Sequence, residues 1–462
     1  MILYLVKHST IRTQRNSYFF LILSITYCIN FYLPNTELNC QQIGSNLPAT
    51  PELEGFGTTT VGGSGRHTPI PKTTIVPVTS LADSGPGSLR ECVDHMYPRT
   101  CIFLTSGEIV LRSPLTIDHP YITIAGQSAP APGITVSHSS LRIRSHDVLV
   151  QHMSFRPGDC PFGTKPSERD GISIGSPSGS AVFNIVVDHV SMTWAIDENI
   201  TVWFPTSHDI TISNSIIAEG LHKSLHPKGP HSKGVMIGPN VKDITLYRNL
   251  IALNYERNPY IQAGSTVEFI NNVVYGWGGA GPWCLAHLRG SENHSHKTKA
   301  IFRGNYYVSG PTSHQTFFLY SPNLGKNTTV LIHDNAMSYS PVGFTTRFNA
   351  HQAIPSLFRR SSIDSKKILP SKATLEYVLR NAGSRPWARA KPDANIVTAV
   401  RTGDGAHRDT APPCIWHAHQ QSLNDRELSS RSVPFRPQEL VMTGSGYTNL
   451  EIWLQNQTAR SR

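Results

Sequence analysis

The sequence predicts an all-β protein: a single-stranded, right-handed parallel β-helix with a short N-terminal cap and a C-terminal helical or irregular strap and tail. Three observations carry the prediction. Seven segments align with one another: Asp147-Val-Leu-Val-Gln-His-Met, Asn184-Ile-Val-Val-Asp-His-Val, Asp209-Ile-Thr-Ile-Ser-Asn-Ser, Asp243-Ile-Thr-Leu-Tyr-Arg-Asn, Thr266-Val-Glu-Phe-Ile-Asn-Asn, Lys299-Ala-Ile-Phe-Arg-Gly-Asn and Thr329-Val-Leu-Ile-His-Asp-Asn. Their starts fall 37, 25, 34, 23, 33 and 30 residues apart, the spacing of a solenoid whose coils carry loops of different length. Within each segment apolar residues alternate with period two and β-branched residues dominate the inward positions, so the segments read as strands; helical spacing is absent. The seventh column holds Asn249, Asn272, Asn305 and Asn335. Asparagines stacked at a bend can hydrogen-bond along the solenoid and satisfy backbone groups there. An antiparallel sandwich would not set like above like.

In chain order, residues 1–40 read as a targeting segment. Lys7, Arg12 and Arg15 precede an apolar run from Tyr18 to Leu33, the order of a secretory signal peptide or of an uncleaved anchor, which implies a secreted, extracellular protein. Residues 41–72, polar and containing Gly62-Gly63-Ser64-Gly65, read as a loose lead-in. Residues 73–345 form the β-helix domain, starting with Thr74-Ile-Val-Pro-Val. One helix is expected around Ser88-Leu-Arg-Glu-Cys-Val, after a Ser-Gly-Pro-Gly turn. Residues 346–402 form a cap or strap, with a short helix at Leu375-Glu-Tyr-Val-Leu-Arg-Asn-Ala and a glycine stop at Gly383. Residues 403–462 are polar, dotted with histidine and aperiodic: an irregular tail.

Composition agrees with this reading. The 462 residues include Gly 35 and Pro 33 with only 16% charged residues, which favours turns and strands. A solenoid grows in one dimension, so this length does not force two domains. The formal net charge of +10 suits a polyanion: an acidic glycan, a nucleic acid or a membrane surface. Seven cysteines are too few for a disulfide framework. Cys92 and Cys101 are close enough to close a loop, while Cys160, Cys284 and Cys414 are buried thiols or one pair and a free one. No cysteine–histidine spacing resembles a zinc site. Sequons start at Asn199, Asn293, Asn327 and Asn456.

The candidate chemistry lies between Ser167 and Asn272. Asp170, Asp197 and Glu198 offer hard oxygen ligands from neighbouring coils, which stack about 4.8 Å apart, and that donor set suits Ca2+. Lys233 and Arg257 form a basic pair beside them, suited to an anionic sugar. Asp188-His189 repeats Gln151-His152 one coil earlier and reads as a structural bend. His222, His226 and His231 read as loop surface, with a cleft wall or a transition-metal site as alternatives.

Together, Glu54-Gly-Phe-Gly, Ser80-Leu-Ala-Asp-Ser-Gly-Pro-Gly-Ser-Leu-Arg, Tyr121-Ile-Thr-Ile-Ala-Gly-Gln, Val187-Asp-His-Val-Ser, Lys233-Gly-Val-Met-Ile-Gly, Arg257-Asn-Pro and Asn271-Asn-Val-Val-Tyr resemble the pectate lyase family over about residues 50–400. The resemblance implies a parallel β-helix, dependence on Ca2+ and β-elimination of polygalacturonate. It makes Asp170 and Asp197 calcium ligands, to which position adds Glu198. It makes Lys233 a contact to a substrate carboxylate and Arg257 the base that removes the C5 proton; His231 and Gln262 are added from their positions as further candidate substrate contacts. Three positions depart from the family pattern: Ile172 and Thr201 stand where acids are common, and Gln262 where a second arginine is. The implied partner is an acidic polysaccharide (polygalacturonate or pectin), with no nucleic acid, no membrane beyond the possible N-terminal anchor, and a monomeric state. Two other readings stay open. One is a polygalacturonase-type hydrolase recruiting Asp188, Asp197 and Glu198 around a water; the other is a catalytically impaired, glycan-binding β-helix.

Overall fold

The computed structural model describes residues 47–278, 286–288, 297–313, 319–320, 328–338, 345–352, 361–412 and 439–459; the targeting segment expected at 1–40 lies outside them. The coils run in the register the seven aligned segments give. Val148 pairs with Ile185, Ile185 with Ile210, Ile210 with Ile244, Ile244 with Val267, Thr266 with Lys299 and Lys299 with Thr329, all in parallel. A typical coil contributes three strands, such as Ile185–Asp188, Ser191–Thr193 and Glu198–Val202. The first two of each coil join a wide sheet, and the third joins a narrow one. Among the described residues the narrow sheet has eight strands, from Leu115–Ile117 through Ile172–Ile174, Glu198–Val202, Lys233–Ile237 and Tyr260–Ile261 to Leu319–Tyr320. This is a parallel β-helix.

Inward side chains make the core. Val148, Ile185, Ile210, Ile244 and Val267 stack one above another and are fully buried. Each contributes about 1.5–3 kcal/mol of apolar burial. At the bend after these strands the sixth position of every segment has positive φ, between 47° and 65°: His152, His189, Asn214, Arg248, Asn271, Gly304 and Asp334. That left-handed turn tips the seventh residue inward, where the expected asparagine ladder forms. Asn249 donates from its backbone and side-chain nitrogens to Asn272 Oδ1 (2.9 and 3.0 Å), Asn272 likewise to Asn305 (2.8 and 3.3 Å), and Asn305 to Asn335 (3.1 and 2.8 Å). Each side-chain amide also donates to a backbone carbonyl, as Asn272 does to Leu246 O at 2.8 Å. A bend that would bury unpaired backbone groups is thereby satisfied.

The ends and flanks refine the expectations. Helix α1, Leu89–Asp94, sits where the sequence places it, N-capped by Ser88, and the Cys92–Cys101 disulfide ties it to the adjoining strand. The lead-in is not loose. Gly57 N–H and Gly63 N–H donate to Thr211 and Thr123 on the outer face of the wide sheet. A Cβ at Gly63 would lie 1.8 Å from Arg99 O, so only glycine permits the contact. The strap holds two helices rather than one, α2 (Ser371–Asn381) and α3 (Lys391–Thr402). Val378, Leu379, Ile396 and Val400 cover Ile216, Leu250, Val273 and their neighbours, which explains why those strands are apolar on both faces. Asp393, fully buried, fastens the strap through Arg156 at 2.7 Å and Ser191 at 2.6 Å.

The 403–462 stretch is not irregular throughout. Helix α4, Asn449–Ala459, starts with a reciprocal cap between Thr448 and Glu451. It lays Leu450, Trp453 and Leu454 against Ile102 and Ala125 of early coils. The tail lacked periodicity because this helix buries only a few residues on an already formed surface. No described helix is long and apolar enough to cross a membrane.

Candidate active site

Asp170, Asp197 and Glu198 meet at the edge of the narrow sheet, with one carboxylate oxygen from each lying within 4.8 Å of the others. Backbone pairing makes this possible. Arg169 O accepts from Ile196 N–H and Asp197 N–H at 3.1 and 3.3 Å, and Gly171 N–H donates to Glu198 O at 3.0 Å. Adjacent coils are thus locked at the level of the acids. A Cβ at Gly171 would sit 2.4 Å from Asn199 O, so glycine is needed for the close approach. Asp170 Oδ1 accepts from Glu198 N–H at 3.2 Å. Burial, with the Asp197 charge adding to it, holds the Asp170 carboxyl well above the usual carboxylate range.

Lys233 and Arg257 face this cluster. Glu198 pairs in register with Lys233, and Lys233 with Glu256, so the three stack on successive coils with alternating charge. Lys233 forms an ion pair with Glu256, and Arg257 reaches back to an ion pair with Glu198. Burial pulls the Arg257 guanidinium below its ordinary pKa, while Asp197, Tyr260 and Asp170 oppose that shift. The downward pull therefore comes from desolvation, not from neighbouring cations. His231 Nε2 lies 2.9 Å from Asp197 Oδ1 and fixes that carboxylate from the far side.

The acids and bases of the cluster compensate incompletely. Asp170, Asp197, Glu198 and Glu256 face Lys233 and Arg257, an excess of two formal negative charges. An all-carboxylate donor set with that excess fits one hard divalent cation such as Ca2+. Asp197, His226 and His231 also gather their ligand atoms within 4.8 Å. That second group fits a transition metal poorly. The imidazoles stack 3.7 Å apart at 10°, so their in-plane lone pairs cannot converge on one ion, and His226 Nδ1 accepts from Lys228 N–H. Neither histidine is loop surface: His226 is 4% and His231 7% exposed.

Several sequence expectations fall differently. Ile172 is fully buried and pairs with Ile200 in the core, so an acid there would have no access to the cluster. Thr201 does reach it, its hydroxyl lying 3.4 Å from Glu198 Oε2. Gln262 continues the narrow-sheet pairing just after Ile261, its N–H donating to Ile237 O at 2.9 Å. Asp188 is saturated on the wide sheet by His189, Gln151, Ser213 and Asn214, which removes it from any hydrolytic carboxylate set. His222 stacks on Tyr255 at 4.1 Å. Asn199 is fully buried, donating to Asn254 Oδ1 at 2.9 Å, and cannot carry a glycan in the folded chain.

Three contributors escaped the sequence reading. Glu256, directly before the Arg257-Asn-Pro run, has meaning only once Lys233 is stacked on it. Arg169, 2% exposed, donates to four carbonyls of the 158–164 loop and so fixes the residue before Asp170. A buried amide chain, Asn199 to Asn254 to Asn258, links the residue after Glu198 to the residue after Arg257. Its sequence spacing is irregular, so no repeat reveals it.

No family model matches the chain. Individual proteins do. It is 34% identical over 427 residues to a protein named probable pectate lyase C of Neosartorya fischeri, covering 88% of this chain and 93% of that one. To its namesake in Aspergillus terreus it is 34% identical over 430 residues, covering 88% and 94%. A third, from Emericella nidulans, is 35% identical over 273 residues, so the match spans 59% of this chain and just over half, 56%, of that relative. Among solved structures it resembles jun a 1, the major allergen from cedar pollen, with TM-score 0.51 at 21% identity over 72% of this chain and 92% of that one. It also resembles a pectate lyase bound to a hexasaccharide, with TM-score 0.50 at 13% identity over 76% of this chain and 100% of that one. Those two likenesses bear on the fold alone. The long matches at 34% identity, with the solenoid and the site just described, place the chain in the pectate lyase family.

Proposed function

We propose that this protein is a secreted, Ca2+-dependent pectate lyase that cleaves α-1,4-polygalacturonate by β-elimination and leaves unsaturated oligogalacturonides. The observation that carries the reading is the meeting of Asp170, Asp197 and Glu198 on adjacent coils, opposite Lys233 and Arg257. Asp170, Asp197 and Glu198 would hold the cation, which when bound to a uronate carboxylate supplies Lewis-acid stabilisation of the charge that develops beside C5.

The chain's own residues do the rest. Lys233, kept in place by Glu256, presents an ammonium to a uronate carboxylate. Arg257 accepts the C5 proton. The C5–H and C4–O bonds break, a C4–C5 double bond forms, and the departing oxygen takes a proton from solvent water. An arginine base needs a depressed pKa, and burial supplies the downward push. Neutralising Asp197 and Asp170 removes two of the groups that oppose it. The Glu198 ion pair holds the charged guanidinium, so it must loosen before Arg257 can take the proton.

The test is the spectrum of the product. The chain, incubated with polygalacturonate and calcium, should generate the ultraviolet absorbance of a conjugated unsaturated uronide, abolished by a chelator and restored by added calcium. New reducing ends without that absorbance would assign a hydrolase. Binding without either product would assign an inactive glycan-binding solenoid.

A further inference from the structure

We propose that the segment 404–412, directly after α3, is a latch on the site, with Arg408 and Asp409 as positioning residues that act through the 219–232 loop. The proposal rests on the reading of Asp197 as a calcium ligand. The loop it concerns is long and its middle faces solvent, with Lys223, Leu225, Pro227, Lys228 and Pro230 exposed. Such a loop has few contacts of its own to hold a geometry. Yet it carries His231, whose Nε2 fixes Asp197 Oδ1 at 2.9 Å.

The latch supplies what the loop lacks. Arg408 O accepts from His222 N–H at 2.6 Å, and Asp409 Oδ1 accepts from Lys223 N–H at 3.1 Å. The Arg408 guanidinium pairs with Glu219 at 2.7 Å, at the root of the loop. His222 O in turn accepts from His231 N–H at 2.7 Å, closing the loop on itself. The path from the C-terminal segment to the metal cluster is therefore short: Arg408 to His222, His222 to His231, His231 to Asp197. The same segment touches the loop on the other side of the cluster, where Ala411 N–H donates to Asp159 Oδ1 at 3.2 Å. That second loop ends at Asp170. Residues read from sequence as the start of a tail thus tie together the two loops that lead to Asp170 and Asp197.

The experiment uses the full chain and two readouts: calcium dissociation constants by calorimetry, and amide hydrogen exchange in residues 221–232. Asp409→Ala and Arg408→Ala should each weaken calcium binding roughly three- to tenfold, the net effect of losing one ordinary hydrogen bond, and should speed exchange in the loop. Asp409→Asn keeps an acceptor oxygen for Lys223 N–H and should restore both. In a His231→Ala background Asp409→Ala should change calcium affinity no further, because the path is already cut. Unchanged loop exchange and affinity in both alanine variants would overturn the proposal. So would an effect that adds in full to His231→Ala, or an Asp409→Asn no better than the alanine. If the unsubstituted chain binds no calcium, the functional reading fails by itself, and the loop exchange still decides whether the latch exists.

Discussion

Asn272→Ala is the substitution that asks most of the fold. The residue is fully buried, and its Oδ1 accepts from both Asn249 N–H and the Asn249 side-chain amide, at 2.9 and 3.0 Å. Alanine leaves Asn249 N–H and one of the two side-chain N–H groups of Asn249 buried and unpaired, the other still donating to Ile212 O, and deprives Leu246 O of the Asn272 amide. A buried donor without a partner costs about 1–3 kcal/mol, so the substitution should cost about 4 kcal/mol, with some relaxation included. Asn272→Ser should cost roughly half of that. Two rungs earlier a serine already does this work, since Ser215 Oγ accepts from Val190 N–H at 3.0 Å. The assay is equilibrium unfolding in urea, with reversibility checked and the slope compared between variants. A loss below about 1 kcal/mol for Asn272→Ala, or a serine variant no better than alanine, would mean that the ladder is not what satisfies the bend.

Four further outcomes follow from particular contacts. Asp170→Asn and Asp197→Asn should each weaken calcium binding by at least about tenfold, read by calorimetry, while leaving the unfolding midpoint close to that of the parent. Arg156→Ala should destabilise by about 3–5 kcal/mol, because Asp393 would remain buried without its cation; thermal unfolding checks this. Stability should fall on acidification from about pH 6.5 towards 3. Burial, with His189 adding to it, holds the His152 pKa at about 3, so below the unfolded value of 6.5 only the unfolded chain gains the proton. Asp188, also shifted down in the fold through His189 and Asn214 despite its burial, begins to lose its contribution only at the acid end of that range and loses most of it below it. His152→Gln should flatten the limb between pH 6.5 and 4 in urea midpoints. Lys233→Ala should raise KM for polygalacturonate more than it lowers kcat if its ammonium holds a uronate in the ground state.

The parts of the molecule that repeat were legible and the parts that do not were not. Strand register could be read because the same physical demand, an apolar pair facing in and a bend after it, recurs at Val148, Ile185, Ile210 and Ile244. The asparagine column was legible for the same reason. Asp170, Asp197, Lys233 and Arg257 were singled out from residue chemistry and family resemblance, and the coils bring them together. Glu256 was missed because its role exists only between coils, where Lys233 stacks upon it. The Asn199–Asn254–Asn258 chain was missed because its members sit on coils with different loop lengths. Helix α4 and the 404–412 segment were missed because their partners are surfaces that exist only after the solenoid has formed. Ile172 is instructive: a period-two count would put it on the same face as Asp170, but the strand starts only at Ile172 and its side chain points into the core.

The most direct measurement of the central claim is the turnover of Arg257→Ala on polygalacturonate at saturating calcium and substrate. If a guanidinium held over metal-bound uronate removes the proton, turnover should drop by about 10²–10⁴-fold while calcium binding persists. Turnover equal to that of the unsubstituted chain would contradict the account.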